Sequence, residues 1–206
     1  MKRIGILSDT HSTLPSQVYT FFKDCDELWH AGDIGFGVLD KLREFKPVRA
    51  VWGNCDSFSL HYELPEVDFF ECEGCRVLMT HIAGTPGHYT PEIQRQIELA
   101  EPDIFVCGHS HILLVASSEF RVRNSASSEF GVQSSELKLP HPDNSELRTP
   151  LSAFSTHKFL HINPGAAGRQ GFHARATLVR LTIADGHPGD VEYIDFSKNP
   201  LHTTQP

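Results

Sequence analysis

The sequence has no apolar run approaching the length of a membrane span, and its basic residues are nowhere gathered into a patch. Eighteen Lys and Arg stand against 26 Asp and Glu, a formal net charge of −8. A nucleic-acid footprint needs clustered cations to neutralise phosphates, so no specific nucleic-acid surface is expected. An N-terminal secretory core is missing as well: the apolar stretch that follows Lys2 and Arg3 is cut short by Asp9. Cysteine is sparse and odd in number, five in 206 residues, which suits a reducing cytosol better than a disulfide framework. The expected location is therefore cytoplasmic, with no membrane partner. The "CEGC" stretch at Cys72–Cys75 lacks the second pair that a structural zinc site requires, and reads instead as a hairpin turn around Glu-Gly.

What the sequence does have in excess is histidine, thirteen in all. Its length suits one well-filled core, taken as a single domain over residues 1–206. The first half alternates β-rich runs with amphipathic stretches: "RIGILSD", "PSQVYTFFKDC", "DELWHAGD", "GFGVLDKLREF" and "VRAVWGN". Such alternation predicts βαβ units around largely parallel, buried strands. "VDFFECEGCRVLMTH" predicts a hairpin, "TPEIQRQIELAEP" a helix opened by a Thr cap with Pro at its first position, and "DIFVCGH" another buried strand. The tail from "KFLHINPG" through "GDVEYIDF" predicts antiparallel strands, so the expected fold class is α/β with mixed sheets packed face to face and covered by helices. Between about 116 and 156 the texture changes to Ser, Glu and Pro, with "ASSEF" at both Ala116 and Ala126. This low-complexity insertion cannot bury a hydrophobic face and is expected to be mostly loop.

Metal-competent side chains fall at the carboxyl ends of the predicted strands: Asp9 and His11, Asp33, Asn54, His81, and finally His109 and His111. In open α/β sheets this edge is where ligands bind. Each motif alone has a bland reading, a turn or a satisfied histidine, but five strand ends that each deliver a carboxylate, amide or imidazole point together to a metal site. Seven O and N donors exceed what one tetrahedral ion takes. They suit two divalent ions, with Mn²⁺ first and Fe²⁺, Ni²⁺ or Zn²⁺ as alternatives. Asp33, central in the order, is the natural bridge.

With those residues in hand, the sequence resembles the calcineurin-like metallophosphoesterases, in their small YfcE-type phosphodiesterase branch. The motifs "SDTH", "HAGDI", "GNCD", "MTH" and "GHSH" stand in that family's order, and "INPGAAG" matches its later Asn-Pro-Gly loop. The likeness covers Met1 to about Val115 and about Lys158 to Phe196. It implies a four-layer αββα sandwich of two mixed β-sheets flanked by helices. It implies a first metal on Asp9, His11 and His111, and a second on Asn54, His81 and His109, with Asp33 shared. It further implies a phosphodiesterase in which a metal-bridging hydroxide attacks phosphorus in line, with Asp33, Asn54, His81 and His109 around the reacting phosphate of a small phosphodiester.

One departure from the wider superfamily is Cys55, where many members carry the histidine that protonates the leaving group. A thiol is a poor donor to an alkoxide, so activated diesters should be favoured; His30 and His88 are the alternative acids. Arg169 is a candidate for a distal phosphate, and His161 and His173 either pack or line the site. Two other functions stay in play: a non-catalytic protein-binding scaffold like the retromer subunit of this fold, and a phosphomonoesterase. Nothing in the sequence excludes a homo-oligomer.

Overall fold

The computed structural model describes residues 1–123, 154–171 and 175–197. The chain runs β1 (Lys2–Leu7), α1 (Gln17–Phe21), β2 (Glu27–Ala31), α2 (Val38–Phe45), β3 (Val48–Val51), α3 (Phe58–Glu63), β4 (Val67–Cys72) and β5 (Cys75–Thr80). It continues with β6 (Gly84–Thr85), β7 (His88–Tyr89), α4 (Pro91–Ala100), β8 (Ile104–Val106), β9 (Leu113–Arg123), β10 (Phe154–Pro164), β11 (Arg175–Ala184) and β12 (His187–Ser197). One five-stranded sheet has the order β12-β11-β1-β2-β3 and the other β4-β5-β8-β10-β9; both mix parallel and antiparallel pairs.

The period-2 pattern of the strands decides the layers. On β1, Ile4 and Ile6 enter the core between the sheets with Trp29, Val77, Met79, Val106 and Val179, while Leu7 faces the helices. That outer face is covered by Val18 and Phe22 near α1 and by Val38, Leu39 and Leu42 of α2. On the second sheet Leu78 and Phe105 point outward and receive Ile93 and Ile97 of α4. These apolar residues stand at i and i+4, one stripe of the helix. The α4 start follows the sequence expectation: Thr90 Oγ1 accepts from Ile93 N–H, and Pro91 takes the first turn. The result is the four-layer αββα sandwich.

Several elements depart from the sequence reading. The α1 helix has only five residues, α3 was not anticipated, and a two-stranded β6-β7 ribbon leads into α4. The Ser- and Glu-rich segment is not loop at its ends, because β9 and β10 stay paired from Pro164↔Leu113 out to Phe154↔Arg123. Its middle, 124–153, lies outside the described residues, as do His141, His173 and His202. Cys72 and Cys75 face each other across a two-residue turn with Glu73 and Gly74 both at positive φ, a hairpin geometry that leaves both as buried free thiols.

Gly5 has a packing role rather than a conformational one. A Cβ there would stand 2.7 Å from both Leu28 Cδ2 and Phe22 Cγ, so the missing side chain lets α1 and its following turn seat on β1 and β2. Gly5→Ala should destabilise the protein by about 1–3 kcal/mol by overpacking. Urea unfolding of the two proteins checks this; an unchanged midpoint would show that the α1 segment moves freely on the sheet.

Candidate metal centre

The donors converge because four strands deliver them to one edge. β1 leads to Asp9 and His11, β2 to Asp33, β5 to His81, and β8 to His109 and His111. The loops are stitched together by main-chain bonds: Asp9 N–H donates to Gly32 O, His11 N–H to Asp33 O, and Gly108 N–H to His81 O, each at 3.0 Å. Asp9, His11, Ser12, Asp33, His109 and His111 all have φ between +44° and +68°. Left-handed backbone disfavours most side chains, and its concentration in these three loops marks a place where geometry outranks local preference.

Asp9 and Asp33 are buried, and so is His81. Asp9 Oδ2 accepts from His109 N–H at 3.1 Å, which aims Oδ1 at three imidazoles: His111 Nε2 at 3.1 Å, and His11 and His81 Nε2 at 4.0 Å. Asp33 Oδ1 accepts from Cys55 N–H at 2.8 Å, which turns Oδ2 toward His81 Nε2 at 3.3 Å and His11 Nε2 at 3.8 Å. His81 Nδ1 lies 2.7 Å from Ala31 O and donates to it, so its tautomer places the lone pair on Nε2. Gly32, at φ +90°, permits this approach, since a Cβ would press on the His81 ring. Gly53 gives Asp33 similar room, because a Cβ there would collide with the Asp33 carboxylate and amide.

Two atoms in this arrangement are buried without any hydrogen-bond partner, Asp9 Oδ1 and His81 Nε2. Such orphans are costly unless a cation fills the space between them. Ligand atoms held about 2.0–2.2 Å from one ion stand roughly 3–3.5 Å apart, close to the spacing of these donors. Asp9, His11 and His111 form one group with ligand atoms mutually within 4.8 Å; Asp9, Asp33 and His81 form a second, and His11, Asp33 and Cys55 a third. The residues therefore fit divalent metal.

Electrostatics agree. Burial works against charge on Asp33, yet contact with His81 and the Cys55 amide outweigh it and hold its carboxyl well below the usual range. Burial alone would depress His81, but Asp33 and the charge of Asp9 offset it and leave the pKa raised. A proton on His81 and a cation among the donors would therefore compete for the same place.

Of the seven residues expected from sequence, five are brought together: Asp9, His11, Asp33, His81 and His111. The other two sit at the rim. His109 is exposed and meets the His81 ring edge-to-face at 5.2 Å between centroids. Asn54 is exposed, donates to Cys55 Sγ at 3.4 Å, and shares a cleft with His81.

The proposed acids fare differently. His30 is fully buried and lies 2.9 Å from Thr10 Oγ1, whose hydroxyl donates to Ile34 O; Thr10 therefore accepts from His30 Nε2–H, and Nδ1 has no partner. Burial lowers its pKa to about 4, so it is neutral near pH 7 and shut away from solvent. His88 is exposed on β7. His161 is core: Nδ1 pairs with Tyr89 OH at 2.7 Å, Nε2 lies 3.4 Å from Cys107 Sγ, and burial lowers its pKa to about 4. Two further histidines are also engaged away from the cluster, His61 stacked on Trp52 and His157 lying 2.8 Å from Pro102 O.

Sequence reasoning missed Asp56. Its Oδ1 accepts from Gly35 N–H at 2.8 Å and its Oδ2 from Gly53 N–H at 2.9 Å, tying the loop after Asp33 to the loop before Asn54. An Asp two residues beyond a Gly-Asn turn is the available signal, because such carboxylates commonly satisfy turn amides. Asn163 acts alike on the other side: Nδ2 donates to Gly108 O at 2.7 Å and Ser110 Oγ at 3.1 Å, steadying the loop that carries His109 and His111.

Two mixed sheets with helices on both outer faces, and a buried carboxylate–imidazole cluster at the strand ends, define an α/β protein built to hold cations. The chain belongs to the calcineurin-like phosphoesterase superfamily, whose domain model matches residues 1–186. A probable metallophosphoesterase of Methanothermobacter thermautotrophicus is 35% identical over 117 residues, 52% of this chain and 66% of that relative, so just under two thirds of its length is spanned. Among solved structures, a zinc complex of Vps29 from Entamoeba histolytica superposes with a TM-score of 0.56 at 16% identity, covering 96% of this chain and 99% of that one. A predicted phosphoesterase from Streptococcus pneumoniae gives 0.54 at 16%, covering 95% and 98%. At such identities the structures speak for the fold alone. Among the described residues, no helix is long and apolar enough to cross a membrane.

The two depressed histidines imply acid sensitivity. A histidine whose folded pKa lies below its unfolded value contributes stability above the unfolded pKa, near 6.5, and loses it as pH falls toward the folded value near 4. For His161 this amounts to about 2 kcal/mol between pH 7 and pH 5. With chelator present, the stability difference between those pH values should shrink by that amount in His161→Gln; an undiminished difference rules out a neutral buried imidazole.

Proposed function

We propose that this protein is a dinuclear-metal-dependent phosphodiesterase of the YfcE-type branch, acting on a small phosphodiester. The observation that carries the reading is the unpartnered Asp9 Oδ1 facing three imidazole Nε2 atoms, with Asp33 Oδ2 beside two of them. Superfamily membership supports phosphoester chemistry, and Vps29 from Entamoeba histolytica, a protein of this fold, has been solved in complex with Zn²⁺.

On this reading Asp9, His11 and His111 hold one ion, Asn54, His81 and His109 a second, and Asp33 both. Mn²⁺ is the first choice, with Fe²⁺, Ni²⁺ or Zn²⁺ as alternatives. When bound, the pair of cations supplies water activation and charge neutralisation on phosphoryl oxygens. The chain's contribution is positioning. Backbone amides of His109 and Cys55 fix the two carboxylates, Ala31 O fixes the His81 tautomer, and strained loops hold the imidazoles at set spacing. Asn54, on the exposed rim, offers its amide to a phosphate oxygen once it leaves Cys55 Sγ. Arg169, also exposed, stands on the loop whose Gly168 N–H donates to Asp9 O, within the same group of loops. The reaction fits a cytoplasmic enzyme, with self-association compatible and no membrane or nucleic-acid partner required.

Bis-p-nitrophenyl phosphate should be hydrolysed in the presence of Mn²⁺. Asp33→Asn should lower kcat by at least about a hundredfold while leaving the fold intact by circular dichroism, and chelation should abolish activity. Metal bound with no turnover of any ester would sink the enzymatic reading in favour of a protein-binding scaffold. Equal efficiency on p-nitrophenyl phosphate would point to a monoesterase instead.

A further inference from the structure

Beside the carboxylate–imidazole cluster lies a cleft of about 210 Å³ that shares His81 with the cluster and Asn54 with its rim. Its far wall comes from the start of α4, through Glu92, Ile93 and Gln96, and its side from Trp52 and Glu66. The volume falls below the roughly 300–1,000 Å³ of sites for drug-sized molecules, so it takes the end of a substrate arm, one flat base or a short chain, and no more. The Trp52 ring is stacked on His61 at 4.1 Å between centroids, and its main-chain N–H donates to Pro65 O, so this wall is set in advance.

Charge and hydrogen bonding select among occupants. Two glutamates line the cleft and no Lys or Arg does. Glu92 stands in the first turn of α4, where it already meets the positive end of the helix. An anionic group would thus meet like charge from both sides. Gln96 Nε2 donates to Glu92 Oε1 at 3.2 Å, whereas Gln96 Oε1 is buried without a partner. Turned into the cleft by rotation of the Gln96 side chain, that amide oxygen would lie next to carboxylates and accept from N–H donors.

Resting on the phosphodiesterase reading for its role, we propose that this cleft is the subsite for one alcohol arm of the substrate, and that it selects an arm bearing N–H donors and no negative charge. The phosphate lies over the cluster, the arm passes Asn54 and His81, and its amine meets Gln96 and the two glutamates. Flat heteroaromatic amines and short alkyl amines share this chemistry.

The test compares p-nitrophenyl phosphodiesters that differ only in the second arm: adenosine, 2-aminoethyl, methyl and 2-carboxyethyl, with the Mn²⁺-loaded protein. At least one amine-bearing arm should exceed methyl about tenfold in kcat/KM, chiefly through KM, and carboxyethyl should fall below methyl. Adenosine leading identifies a base-like arm, and aminoethyl leading an alkyl amine. Gln96→Leu should cut the preference for the amine arm over methyl about tenfold, and Glu92→Gln should relieve the penalty on carboxyethyl. Adenosine and ethanolamine alone, without phosphate, should also perturb tryptophan fluorescence in a Gln96-dependent manner. Turnover of all four esters at equal efficiency, with no fluorescence response, overturns the subsite and leaves the phosphodiesterase reading standing. A Gln96-dependent response with no turnover of any ester keeps the cleft as an amine-binding site and sinks the phosphodiesterase reading instead.

Discussion

Everything at this edge of the protein follows from one constraint, that buried lone pairs of like character are made to face each other. Asp9 Oδ1 and Asp33 Oδ2 look toward imidazole Nε2 atoms, and at His81, whose Nδ1–H is given to Ala31 O, the Nε2 lone pair points inward at them, so these atoms cannot satisfy one another without a proton or cation among them. Left to itself such a cluster would spread or take up solvent. It stays closed because each carboxylate is held by its other oxygen to a main-chain amide, and because the loops are bonded to one another rather than to water. The cost is visible as left-handed backbone at six non-glycine positions, which the surrounding sandwich has to hold.

The sandwich is suited to that load. Donor-bearing strands β1 and β2 are parallel neighbours in one sheet, β5 and β8 in the other, and both pairs are packed against the same core of Ile6, Trp29, Met79 and Val106. Strand ends anchored in a close-packed interior cannot drift independently. Asp56 and Asn163 extend the same logic outward: Asp56 accepts from the main chain at Gly35 and Gly53, and Asn163 donates to Gly108 O and accepts from Gly165 N–H, so the rim is tied at opposite sides.

This explains what could be read from the sequence and what could not. Strands were legible because burial on both faces leaves apolar runs, and the polar residue ending each run stood out, as with Asp33 after "LWHAG" and His81 after "VLMT". The Cys72–Cys75 turn was legible because Glu-Gly at positive φ is local chemistry. The α3 helix was not, for it has no fully buried residue and hence no periodic signal. Histidine context was the least legible. His161 alternates with apolar neighbours as a residue lining a site would, yet Tyr89, distant in sequence, claims its ring, and His61 owes its place to Trp52. Nor does spacing distinguish His109 from His111, since both end the same strand; only the left-handed turns between them put one into the cluster and the other on its rim.

The supply of a proton is where fold and chemistry pull apart. A group that gives a proton to a leaving oxygen must be near the cluster, protonated near neutrality, and acidic enough to let go. His30 is close by but neutral and sealed in, because burial beneath Thr10 has already taken its proton's solvation away. Cys55 is exposed and beside Asp33, but partial desolvation of its thiol and the hydrogen bond with Asp33 raise its pKa, so it holds its proton more tightly when the leaving oxygen needs it. Bound cations would draw that pKa down again, because their charge would offset that of Asp33, which otherwise keeps the proton on sulfur. On the phosphodiesterase reading, then, the same cations that draw electrons from phosphorus also govern how acidic the thiol at the rim becomes. Leaving groups stable as anions gain most from such a site, since they ask least of Cys55.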